Sequence, residues 1–125
     1  MAPTQRRSKL RVCVVDDNHD SADSLALLLQ LAGHEVHTSY DAATTLTLAR
    51  DVHPDCVISD INMPGMDGCE LARQVKTEHP EVRLIAVTGR NDDAQTDLVR
   101  EAGFDYQFTK PADPTVILEV LAMMQ

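Results

Sequence analysis

A chain of 125 residues has the size of one domain with a single hydrophobic core, and 43% apolar with 25% charged residues excludes a disordered or fibrous polymer. No apolar run approaches the length of a membrane span, and the start MAPTQRRSKL is basic without the apolar stretch of a signal peptide, so a cytoplasmic protein without membrane insertion is expected. The net charge of −9 argues against direct nucleic-acid binding, since the one basic cluster is Arg6, Arg7, Lys9 and Arg11 near the N-terminus, where residues 1–8 read as a flexible tail before a domain over 9–125.

In chain order, apolar β-rich runs occupy residues 10–15, 35–39, 55–59, 83–87 and 106–109, each separated from the next by a stretch with helical spacing. The first helical stretch repeats Ala22, Leu25, Ala26, Leu29 and Ala32 at intervals of three and four before Gly33. Ala42, Ala43, Leu46 and Ala49 supply the second stripe, and Leu71 and Val75 a smaller third one that starts near Asp67 or Gly68. The fourth, over 92–102, uses Ala94, Leu98, Val99 and Ala102 and stops at Gly103. The last has Asp113 as cap and Pro114 in its first turn, and buries Val116, Ile117, Val120 and Leu121.

The continuous apolar runs at 12–15 and 57–58 indicate strands covered on both faces, as in a parallel sheet. Strand and helix alternating five times then imply a doubly wound α/β domain with five parallel strands flanked by five helices. Cys13, Cys56 and Cys69 form neither an even disulfide set nor a metal pair and read as reduced structural thiols. His19, His34, His37, His53 and His79 are scattered and read as surface histidines. Met63 and Met66 read as local packing or as a partner contact, and Phe104, Tyr106 and Phe108 as core near the last strand.

Open parallel sheets bind ligands at the carboxyl edge of their strands. Asp16 and Asp17 follow the first strand, Asp60 the third, Thr88 the fourth and Lys110 the fifth. Three carboxylates at one edge repel one another unless a cation neutralises them, and hard oxygen ligands select Mg²⁺. Such an ion would also screen a phosphoryl group from an attacking carboxylate, making Asp a workable nucleophile, with Lys110 and the Thr88 hydroxyl as ligands for phosphoryl oxygens. Taken singly, these residues have plainer readings. Asp16 and Asp17 could cap the first helix, as could Asn18 or Asp20, while Lys110 and Thr88 could be ordinary loop and turn residues.

Together, VVDDN at 14–18, DINMPGMDG at 60–68, VTG at 87–89 and KP at 110–111 resemble the receiver domain of two-component response regulators, over the chain from about Leu10 onward. The resemblance implies a flavodoxin-like strand order 2-1-3-4-5. It makes Asp60 the phosphoacceptor, Asp17 a direct Mg²⁺ ligand and Asp16 a ligand through water, with Asp60 and the Asn62 backbone carbonyl completing the protein ligands. Thr88 and Lys110 would hold the phosphoryl group, the Lys110–Pro111 bond would be cis, and Gly65 and Gly68 would shape the loop after Asp60. Asn62 and Arg90 would tune the access of water.

The implied role is that of a signalling domain, not an enzyme acting on other molecules. A histidine kinase or histidine phosphotransfer protein would supply the phosphoryl group, and a downstream protein would read a changed helical surface. Both a stand-alone receiver and the receiver part of a hybrid kinase suit the sequence. A Mg²⁺-dependent aspartyl-phosphate phosphatase or phosphotransferase is the competing reading, but it would carry a second Asp where Asn62 stands and a cap domain for which the chain has no room. One departure stands out: three residues before the lysine, receivers usually carry an aromatic ring or His that swings inward on activation, and here the residue is Gln107. Tyr106 beside it should point to the opposite face of its strand.

Overall fold

The computed structural model describes residues 9–89 and 92–124, so Arg6, Arg7 and Arg90 lie outside the described residues. The elements run β1 (Arg11–Val15), α1 (His19–Leu31), β2 (Glu35–Ser39), α2 (Ala42–Val52), β3 (Cys56–Asp60), α3 (Gly68–Glu78), β4 (Arg83–Thr88), α4 (Asp93–Ala102), β5 (Tyr106–Thr109) and α5 (Pro114–Met123). The strands form one parallel sheet in the order β2-β1-β3-β4-β5, as the resemblance implies.

Each helix starts where a side-chain oxygen takes up an orphan backbone N–H. Asn18, Asp41, Asp67, Asp92 and Asp113 accept from the amides of Ser21, Thr44, Glu70, Gln95 and Thr115. A cap of this kind stabilises a helix by about 0.5–2 kcal/mol. Asn18, not Asp16 or Asp20, caps α1, which leaves the Asp16 carboxylate to the sheet edge. Gly103 ends α4 at φ 107, in the left-handed region where a side chain would be strained.

The sheet separates two apolar layers because successive strand residues face opposite sides. Cys13, Val15, Val57, Leu84 and Ala86 pack with α2, α3 and α4, whereas Val12, Val14, Ile58 and Ile85 pack with α1 and α5. All five residues of β3 are buried, so the central strand is shielded on both faces as its apolar run predicts. The three cysteines are free and buried. Met63 and Phe104 belong to the core, and Tyr106 and Phe108 are half-buried against the α1–α5 layer.

Several side chains depart from the helical pattern. In α2, Ala43 is exposed and Thr45 is buried in its place, its hydroxyl bonded to the Asp41 carbonyl and to the Ser39 hydroxyl. Ala32 is the exposed C-cap of α1, and Val116 is partly exposed on α5. In α4, Ala94 and Leu98 face solvent, while Gln95 is buried with Val99 and Ala102. His34 is no surface residue: it is buried, and its Nδ1 accepts the Leu10 N–H at 3.1 Å. An apolar pattern does not foresee these polar groups in the core, yet Thr45, Gln95 and His34 each have a partner that makes burial tolerable.

Candidate functional site

Parallel strands deliver their last residues to one edge, and four of the five carry the polar groups anticipated there. Asp60 and Thr88 are the final residues of β3 and β4, Asp16 and Asp17 follow β1, and Lys110 follows β5. The carboxylate oxygens of Asp16, Asp17 and Asp60 can lie within 4.8 Å of one another. Lys110 Nζ stands 3.3 Å from Asp60 Oδ1 and 3.5 Å from Asp16 Oδ2, an ion-pair bridge between the first, third and fifth strands. Asp17 is exposed, so the cluster opens to solvent on that side.

Backbone contacts hold these groups in place. The Asn18 amide donates to Asp16 Oδ1 at 2.9 Å. The Ser59 hydroxyl donates to the Asp60 carbonyl at 2.7 Å, and the Gly68 amide to the Ile61 carbonyl at 2.9 Å. Gly65 adopts φ 77, which leaves the tight loop between them to a residue without a side chain. The Lys110 amide donates to the Thr88 carbonyl at 2.7 Å, and the Lys110–Pro111 peptide is cis.

The electrostatics are those of an anionic site short of positive charge. Asp60 is only 6% exposed, and its pKa is pushed up to about 6, first by burial and then by the charge of Asp16, with Lys110 opposing both. At Lys110 burial favours the neutral amine, but the Asp60 and Asp16 carboxylates outweigh it and the pKa lies above the ordinary lysine value. Three hard oxygen donors with one ammonium between them suit a small divalent cation of the Mg²⁺ class, which would relieve the remaining repulsion.

Thr88 is fully buried, and Gln95 Nε2 of α4 donates to its hydroxyl oxygen at 3.4 Å. Sequence reasoning missed Gln95 because an amide was not counted as a core group, although its spacing to Val99 and Ala102 places all three on one stripe. Asn62 is exposed two residues beyond β3. Gln107 is half-buried and pairs in register with Ala86, so it shares the face that turns toward α4; Tyr106 pairs with Ile85 and lies on the opposite face. A groove of about 470 Å³ opens on Asp60 and Lys110 and continues between α1 and α5 past Ala22, Leu25, Leu28 and Ile117.

Comparison with known proteins points the same way. The family model described as the response regulator receiver domain matches residues 12–122. A CheY-like response regulator receiver domain protein from Methanospirillum hungatei is 28% identical, with a TM-score of 0.85 and 90% of each chain covered. The beryllofluoride-activated DrrB receiver domain is also 28% identical, with a TM-score of 0.85, over 93% of this chain and 97% of that one. The chemotaxis protein CheY4 of Vibrio cholerae is 27% identical, with a TM-score of 0.85, over 92% and 98%. With the fold, the acidic edge and a family match over most of its length in agreement, the chain belongs to the response regulator receiver domain family of signalling domains.

Proposed function

We propose that the protein accepts a phosphoryl group on Asp60 from the phosphohistidine of a histidine kinase or a histidine phosphotransfer protein, and that the phosphorylated form is read by a downstream protein. The observation that carries this reading is the convergence of Asp60 with Asp16, Asp17 and Lys110 at one strand edge. One Asp60 carboxylate oxygen forms a bond to phosphorus as the phosphorus–nitrogen bond to the donor imidazole breaks, and the imidazole keeps that electron pair. Asp60 must be ionised to attack, and the Lys110 ammonium 3.3 Å away favours the ionised form.

Asp16, Asp17 and Asp60 would hold Mg²⁺ together with the Asn62 backbone carbonyl. When bound, the ion supplies charge neutralisation at the phosphoryl oxygens. Lys110 offers a second positive charge to the same oxygens, and the Thr88 hydroxyl a hydrogen bond. The groove beside Asp60 leaves space through which a donor side chain reaches the carboxylate. Residues 9–125 act as the receiver and residues 1–8 as its tail in this reading. A cytoplasmic setting agrees with the absence, among the described residues, of a helix long and apolar enough to cross a membrane.

The test is intact-mass spectrometry after incubation with acetyl phosphate and Mg²⁺. One phosphoryl group is expected on the wild type and none on Asp60→Asn or after chelation. Equal labelling of Asp60→Asn would overturn the assignment.

A further inference from the structure

Thr88 at the end of β4 and Gln95 in the first turn of α4 meet in a buried junction. Gln95 is 5% exposed, and its side-chain amide donates to Thr88 Oγ1. On the neighbouring stripe of the same helix, Ala94 and Leu98 face solvent, Leu98 at 55% exposure. A polar amide is thus turned inward while a leucine is turned outward, the reverse of what burial energies favour unless the amide is specifically held.

The helix has two possible seats. In the observed one, Gln95, Val99 and Ala102 face the sheet. Turned by about 60° on its axis, it would direct Ala94, Leu98 and Ala102 inward, as follows from 3.6 residues per turn. The second seat would bring Ala94 and Leu98 against the sheet, turn Val99 aside and lose the amide contact with Thr88. No ring fills the α4-facing side of β5, because Gln107 occupies that position.

We propose that Gln95 is a positioning residue whose amide ties the seat of α4 to the state of the Thr88 hydroxyl. This inference rests on the phosphoacceptor reading of Asp60 above. While the hydroxyl accepts from Gln95, α4 keeps its observed seat. When the Thr88 side chain swings to bring its hydroxyl to a phosphoryl oxygen on Asp60, Oγ1 moves out of reach of the amide and the first turn of α4 is released toward the seat that buries Leu98. Coupling then runs through a side chain of α4 itself, in a chain that lacks a ring at position 107.

The experiment compares wild type, Gln95→Met and Gln95→Glu with and without beryllofluoride and Mg²⁺. Fluorine NMR reads occupancy of Asp60, and amide hydrogen exchange over residues 92–102 reads α4. Beryllofluoride is expected to speed exchange in the first turns of wild-type α4 by roughly fivefold, the effect of losing one ordinary hydrogen bond. Gln95→Met, close in size but without the amide, should show that faster exchange already in the free state and gain little from beryllofluoride. Gln95→Glu, held by burial as the neutral acid whose O–H donates to Thr88 Oγ1 as the amide does, should exchange like wild type when free, which separates the tie from a general loss of stability.

Equal exchange of free wild type and free Gln95→Met, or a full beryllofluoride response in Gln95→Met, overturns the proposal. Absence of a bound fluorine signal on wild type overturns the Asp60 reading instead, and the free-state comparison still decides whether Gln95 holds α4.

Discussion

Gly68 lies so close under Asp60 that a Cβ on it would stand 2.3 Å from the Asp60 carbonyl oxygen. The obstacle is backbone on both sides, so no side-chain rotation relieves it. Gly68→Ala should therefore shift the start of α3 and destabilise the fold by about 1–3 kcal/mol, the usual range for overpacking. Urea denaturation checks this, and unchanged stability would show that the loop from Asp60 to α3 yields freely.

The crowded carboxylates make Asp60 a burden on the metal-free protein. At neutral pH in chelator, Asp60→Asn should be more stable than wild type by about 1–3 kcal/mol, since one pKa unit corresponds to ~1.4 kcal/mol. Added Mg²⁺ should raise the melting temperature of wild type through preferential binding to the folded state, and that of Asp60→Asn much less. Thermal melts with and without the ion test both halves. A less stable Asp60→Asn in chelator would mean that its pairing with Lys110 outweighs the repulsion.

His34 predicts a pH dependence. Burial lowers its pKa below 6.5, and its unprotonated Nδ1 accepts the Leu10 N–H. The fold thus favours neutral imidazole, so its contribution is complete above pH 6.5 and declines as the pH falls below that value and the unfolded chain takes up the proton. His34→Asn, which offers an uncharged acceptor, should flatten this part of the acid-side loss in denaturation curves between neutral and mildly acid pH. A curve parallel to wild type would remove His34 from the account.

The seat of α4 makes neighbouring residues unequal. Val99→Ala should cost roughly 1–3 kcal/mol because Val99 is buried, whereas Leu98→Ala should change stability by less than about 0.5 kcal/mol. Equal costs, measured by chemical denaturation, would place α4 in another orientation than the one observed.

The legible part of the architecture was the part written in local pattern. Strand bounds read from apolar runs agree with the structure to within one residue, because buried parallel strands need continuous β-rich segments. Asp113, read as a cap, is one. The convergence of Asp16, Asp17, Asp60, Thr88 and Lys110 at one edge was also legible, since each follows or ends a strand and parallel strands bring such positions together. Less legible were the faces of the helices. Ala94 and Leu98 fit an apolar stripe as well as Val99 does, and spacing alone does not say which side meets the sheet.

By itself, then, the sequence determined the alternation of five strands and five helices and the four motifs whose carboxylates, threonine and lysine share an edge. These follow from backbone periodicity and from the geometry of parallel strands. Tertiary structure alone decided that Gln95 turns inward to Thr88 while Leu98 turns out, that His34 is buried under the Leu10 amide, and that Thr45 replaces Ala43 in the core. In each case a polar group is buried because a partner distant along the chain or held by a separate element satisfies it, and hydropathy along one helix carries no record of that partner.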